Sequence, residues 1–144
     1  ANKELAQMIE SIDTINEIPF NLSIDCAQDF LALSPISIVT SGTASLEAAV
    51  LGSVPIICYK TNKLNYAILS RLLKTPFIGL PNLLLQEHIF PELVQNNLTP
   101  NTIVESFKKI LIDSGQYNSH LSKINHSMHG EGFEVAANAI KKIL

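Results

Sequence analysis

The chain has 144 residues, 47% of them hydrophobic and 16% charged, enough for one compact domain burying about two-thirds of its unfolded surface and too apolar for a disordered tail. Ten basic residues against 13 acidic ones leave a formal charge of −3, with no Lys/Arg cluster, which argues against nucleic acid as a main partner. No apolar run nears the roughly 20 residues that span a bilayer, and the N-terminus lacks the basic-then-apolar order of a signal peptide. Cys26 and Cys58 lie far apart without CxxC spacing, so two buried thiols in a reducing, cytosolic setting are expected. The first residue is Ala1 rather than Met, and helical pattern begins at once; the expectation is a piece of a longer protein.

Leu5, Met8, Ile9 and Ile12 recur at helical spacing, and Phe20, Leu22 and Ile24 alternate with polar residues; the patterns predict a helix and then a half-buried strand. Asp25 reads as the N-cap of a short helix carrying Ala27, Phe30 and Leu31, which Pro35 ends before a second strand at Ile36, Ile38 and Val39. From Ser41 the run SGTASLEAAVLG changes abruptly to helix formers, with Gly52 where a C-terminal cap glycine belongs. Val54 to Tyr59 is the third predicted strand. Leu64, Ile68 and Leu72, with Leu69 and Leu73, predict an amphipathic helix ending near Lys74, and Phe77 to Leu80 a short fourth strand. Thr99 and Pro100 form a cap and first-turn pair for a helix with Ile103, Val104, Phe107, Ile110 and Leu111 as its apolar face. Two further helices are expected, one around Leu121 and Ile124 and one carrying Phe133, Ala136, Ala137, Ile140 and Ile143.

Strands alternating with helices over short connections predict a single α/β domain over residues 1–144, with a mostly parallel sheet, helices on both faces and closing C-terminal helices. Ligands of such sheets sit at the carboxyl ends of the strands, which directs attention to the turn at Thr40 to Thr43. There a helix start offers unpaired N–H groups and the positive end of its dipole to an anion such as phosphate. Gly42 permits close backbone approach, and the Ser41 and Thr43 hydroxyls can add donors or cap the helix. Glu47, one turn beyond Thr43 on the same face, can accept two ribose hydroxyls. The same residues also fit a plain helix cap followed by a solvated acid.

The stretch SGTASLEAAVLGSVPIICYKTNKL resembles the nucleotide-sugar site of GT-B glycosyltransferases. A second block is similar in order and spacing to the lipid-A-disaccharide synthase family: Arg71-Leu72-Leu73-Lys74, then Phe77-Ile78-Gly79-Leu80-Pro81-Asn82-Leu83-Leu84, then Pro91-Glu92-Leu93. The resemblance covers nearly all of this chain and about the last third of such an enzyme. It implies a Rossmann-like C-terminal half of a GT-B fold, with an N-terminal acceptor domain absent here and terminal helices, after about residue 115, that cross to it. It implies UDP-sugar contacts at Ser41, Gly42, Thr43 and Ala44, a ribose or phosphate role for Glu47, and a nucleotide or donor-sugar contact at Asn82. Tyr59 and Lys60 would line the cleft.

The implied reaction is an inverting hexosyl transfer from UDP-2,3-diacylglucosamine to 2,3-diacylglucosamine 1-phosphate in lipid A biosynthesis. It needs no metal or other cofactor, and its general base lies in the absent domain, so no catalytic residue is expected on this chain. The implied setting is cytoplasmic, peripheral on the inner membrane, with a homo-oligomer possible. One departure stands out: members often carry Gly-Arg or Asn-Arg after the L-P-N-L-L run, where this chain has Gln86-Glu87, leaving His88 or Lys60 as substitute cations. Two alternatives therefore stay open, an inactive remnant or interaction module, and the nucleotide-binding half of another GT-B transferase or UDP-sugar epimerase. His126 and His129 read as a surface turn for want of a third ligand. Lys108-Lys109 and Lys141-Lys142 read as solvated pairs, and Ser41 lacks the elbow of a serine nucleophile.

Overall fold

A computed structural model describes residues 3–12, 20–62 and 75–128. Among them are six α-helices: α1 (Lys3–Glu10), α2 (Ala27–Leu33), α3 (Thr43–Val50), α4 (Leu80–Leu85), α5 (Pro100–Ile112) and α6 (Ser114–Met128). Three strands, β1 (Ile36–Thr40), β2 (Val54–Tyr59) and β3 (Glu92–Val94), form one sheet in the order β1-β2-β3. Both pairings are parallel, with Ile36 opposite Val54, Thr40 opposite Cys58 and Tyr59 opposite Val94. The fold is therefore an α/β, Rossmann-like sheet with helices packed around it and helices at its C-terminal end.

The central strand shows why. Side chains alternate faces along a strand, yet Ile56 and Ile57 are both buried, so protein covers the sheet on both sides, as parallel sheets require. Pro55 is tolerated in this strand because Val54 turns its N–H toward β1, donating to the Pro35 carbonyl at 2.9 Å. The hydrogen-free nitrogen of Pro55 therefore faces the β3 side, where pairing begins only at Ile57. Around β2 the core gathers Ala49 of α3, Phe90 and Leu93, Ile110 of α5, and Tyr117, Leu121 and Ile124 of α6. The last three place α6 in the core of this domain.

The predicted helix stop at Gly52 is present: φ is +90° there, and the N–H groups of Gly52 and Ser53 donate to the carbonyls of Ala49 and Ala48 at 3.2 and 2.9 Å, the paired closure of a glycine-terminated helix. Thr99 caps α5 reciprocally with Thr102, each side chain accepting from the other's N–H at 3.1–3.2 Å. Four expectations need correction. Phe20 to Ile24 is no strand; Phe20 and Leu22 are exposed and none of the described strands pairs with them. Asp25 does not cap α2; it takes φ +63°, and the cap position is Cys26, without a side-chain bond. Phe77 to Leu80 is the entry to α4 rather than a strand, since Pro81 pre-forms the helical turn. The third strand lies instead at Glu92. Of the apolar face predicted for α5, Ile103 and Ile110 pack inward, whereas Val104, Phe107 and Leu111 are exposed. The helices predicted at Leu64 to Lys74 and at Phe133 to Ile143 lie outside the described residues.

Burial holds the Tyr117 hydroxyl above its ordinary ionisation range, helped by the Asp113 carboxylate, and burial also raises the Cys58 thiol. Both groups ionise more easily in the unfolded chain, so the stability they contribute is present at neutral pH and is lost as pH rises through the folded values. The melting temperature is expected to fall as pH rises past the point, about pH 9, where these groups begin to ionise in the unfolded chain, and Tyr117→Phe to flatten that fall. An equally steep decline in the variant would contradict the assignment.

Candidate functional site

The parallel register brings the carboxyl ends of all three strands to one edge, with Ser41, Lys60 and Gln95 following Thr40, Tyr59 and Val94 there. Ser41 continues the β1 ladder by donating its N–H to the Cys58 carbonyl at 3.0 Å. The chain then turns at Gly42, whose φ of 122° and ψ of −156° fall in a region that only glycine occupies readily. The Gly42 carbonyl accepts from the N–H and hydroxyl of Ser45 at 3.2 and 2.7 Å. No side chain caps α3. The N–H groups of Gly42, Thr43 and Ala44 sit where a helix has no internal acceptors to offer them, at the positive end of the α3 dipole.

Ser41 is not a cap either. Its hydroxyl donates to the Ile78 carbonyl at 3.0 Å, so its single proton is committed to the protein. Glu47, expected one turn along α3, is half-buried, and its Oε1 accepts from Gln28 Nε2 at 2.7 Å. That bond pins the acid toward α2, on the wall of a groove of about 510 Å³ that also holds Ser23, Asp25, Cys26 and Phe30. The bond is solvent-exposed, so the acid keeps contact with water while it leans on Gln28. Nothing in the sequence marked Gln28, a polar residue on a short exposed helix. Tyr59 is half-buried and Lys60 exposed.

Asn82 lies wholly inside. Its Nδ2 donates to the Phe90 carbonyl and to Glu92 Oε1, both at 2.8 Å, and its Oδ1 accepts from the N–H groups of Ile89 and Phe90 at 3.1 and 2.9 Å. Two donors and two acceptor positions are all an amide side chain has. In this geometry Asn82 reaches the site through its neighbours and leaves no polar group for a ligand. Glu92 went unremarked in sequence as a site residue, although it stands in the P-E-L run; its carboxylate accepts from Asn82 and from the Ile78 and Gly79 N–H groups, at 3.0 Å each. Gln95 was missed as well. It holds φ +51°, accepts from the Thr61 N–H at 3.3 Å, and buries Nε2 without a partner, a combination of strain and unmet polarity that clusters at functional positions.

Gln86 ends α4 in the left-handed region, with φ 54° and ψ 31°, a conformation that Gly and Asn take most easily; the Gly or Asn of the resembling family suits it better. Glu87 and His88 are exposed, and His88 leans on Phe77 at 4.7 Å between ring centroids. Cys26 and Cys58 are free and half-buried rather than fully buried. Among the described residues no three His, Cys, Asp or Glu side chains gather as metal ligands, and no helix is long and apolar enough to cross a membrane. His126 is exposed on α6, and His129 lies outside the described residues.

Fold and turn together define a Rossmann-like α/β domain with an open helix start at the carboxyl edge of its parallel sheet. A family model described as lipid-A-disaccharide synthetase matches residues 1–142, and the chain belongs to that family. The lipid-A-disaccharide synthase of Azoarcus sp. (strain BH72) is 34% identical over 128 residues, 87% of this chain and 33% of the relative. Lipid-A-disaccharide synthase 2 of Legionella pneumophila (strain Lens) is 36% identical over 120 residues, 82% of this chain and 31% of the relative. The synthase of Dechloromonas aromatica (strain RCB) is 38% identical over 97 residues, 67% of this chain and 25% of the relative. The chain thus spans a quarter to a third of the length of these glycosyltransferase relatives.

Proposed function

We propose that this chain is the UDP-binding, C-terminal GT-B part of a lipid-A-disaccharide synthase, an inverting hexosyltransferase. The enzyme would move 2,3-diacylglucosamine from its UDP donor to 2,3-diacylglucosamine 1-phosphate at the cytoplasmic face of the inner membrane. The observation that carries the reading is the Gly42 turn, which leaves the first N–H groups of α3 open beside a Glu47 fixed by Gln28. The diphosphate would lie across Gly42, Thr43 and Ala44, and the ribose hydroxyls would bind Glu47. As the sugar leaves, negative charge grows on the UDP oxygen; fixed N–H groups and the α3 dipole are already aimed there and need no reorganisation, which lowers the barrier without a metal. Tyr59 and Lys60 border the cleft. The general base that takes the acceptor proton would stand on another domain, so the chain alone would bind donor without turning it over.

At tenfold excess over its Kd, UDP is expected to add about 1.4 kcal/mol of stability and raise the melting temperature by roughly 4 °C. Glu47→Ala should reduce that rise to under about 1 °C. If millimolar UDP leaves the unaltered chain's melting temperature unmoved, the reading fails. A second reading, an interaction module that has lost its site, draws on the exposed acid Glu87 and the strained Gln86 in place of a basic residue. The same titration separates the two.

A further inference from the structure

We propose that Glu92 is a positioning residue of the candidate site, setting the Gly42 turn from two strands away through Ile78 and Ser41. Its consequence for a ligand rests on the reading of that turn as a UDP site; the bridge itself does not.

Three donors converge on the Glu92 carboxylate: the Ile78 N–H on Oε2, and the Gly79 N–H and Asn82 Nδ2 on Oε1. Only an acceptor-only side chain satisfies all three; an amide of the same shape would turn its own NH2 toward one of them. Asn82 is in turn locked by Phe90 and Ile89, so the carboxylate has little freedom. Gly79 lets the held backbone lie directly against the sheet, because a Cβ there would land on Ile57 Cδ1.

Ile78 thus has both backbone groups engaged. Its N–H is fixed by Glu92, and its carbonyl accepts the Ser41 hydroxyl. Glu92 belongs to β3 and Ser41 follows β1, strands that do not pair with each other. The path Glu92, Ile78, Ser41 therefore spans the carboxyl edge over β2 and ends at the residue before Gly42. With its only proton on Ile78, Ser41 has no donor left for a phosphate oxygen. Its part is to hold the turn, and the N–H groups beyond it meet the anion.

Two measurements on the 144-residue chain test this. The first is amide hydrogen exchange without ligand on Glu92→Gln, which matches the native volume. The amides of Ile78, Gly79 and Ser41 should exchange about tenfold or more faster, while Ile57, bonded to the Pro91 carbonyl at 2.8 Å, stays within about twofold. Faster exchange that stops at Gly79 overturns the bridge. Should Glu92→Gln speed the whole core, Ser41→Ala reads the bridge from its other end: the amide at 41, bonded to the Cys58 carbonyl, should then exchange faster, and an unchanged rate there overturns the proposal. The second is calorimetric titration with UDP. Glu92→Gln and Ser41→Ala should each weaken binding by about tenfold, and the double variant by no more than about twentyfold, since both cut one path. A hundredfold loss, the product of independent effects, counts against it. If the unaltered chain binds no UDP, the proposed function falls and the exchange measurement alone decides the bridge.

Discussion

Asn82→Leu is expected to cost about 3–5 kcal/mol, a large part of what a domain of this size possesses. The replacement has nearly the right volume and none of the right chemistry. It strands the N–H groups of Ile89 and Phe90 and the Phe90 carbonyl, which the amide serves at 2.8–3.1 Å in a site without solvent access. Each buried group left unpaired carries a penalty of about 1–3 kcal/mol. Urea denaturation followed by circular dichroism measures the loss, and one below about 1 kcal/mol would show that the loop re-pairs elsewhere. Asn82→Asp sharpens the test. It keeps the acceptor for both N–H groups but sets an oxygen against the Phe90 carbonyl and against Glu92. Its stability should therefore recover partly at acidic pH, where the new carboxyl takes up a proton and donates in place of Nδ2. Recovery at alkaline pH would contradict that account.

Gly42→Ala is expected to remove the response to UDP and to cost about 1–3 kcal/mol. The cause is the backbone alone, because a Cβ at Gly42 meets no atom within 4 Å. An alanine must either bear φ near 122° or relax toward an allowed region, and relaxation rotates the N–H groups of Thr43 and Ala44 away from a common ligand. Gly52→Ala is the control. It also stands at positive φ in open space, but at the far end of α3, so it should cost about 1–2 kcal/mol and leave the UDP-induced rise in melting temperature intact. Equal retention of that rise in both variants would remove the turn from the site.

Much of the sheet was legible because local pattern and tertiary environment agree there. Val54 to Tyr59 is a run of β-branched and apolar residues bounded by Gly52 and Lys60, and the strand occupies those positions. Thr99 and Pro100 specify a helix start by chemistry within one turn. Where periodicity was read without a partner in space, it misled. Phe20, Leu22 and Ile24 alternate correctly but pair with none of the described strands, and Val104, Phe107 and Leu111 repeat as a core face would yet remain exposed. Strand β3, at three residues, is too short to show a period at all.

From sequence alone came the α/β class, the family resemblance carried by the Ser41 and Leu80 blocks, and the position of a strand-to-helix turn suited to phosphate. Each is assembled from signals that are local in the chain, one strand, helix or turn at a time, and read in their order. What only the tertiary structure decided is how the residues of that turn divide their work. Ser41 donates to Ile78, 37 positions away, Gln28 holds Glu47 across 19, and Asn82 is spent on Phe90 and Glu92 rather than left facing a ligand. A hydroxyl has one proton and an amide two, so which partner takes them is settled by what the fold brings within about 3 Å, a distance that no spacing along the chain encodes.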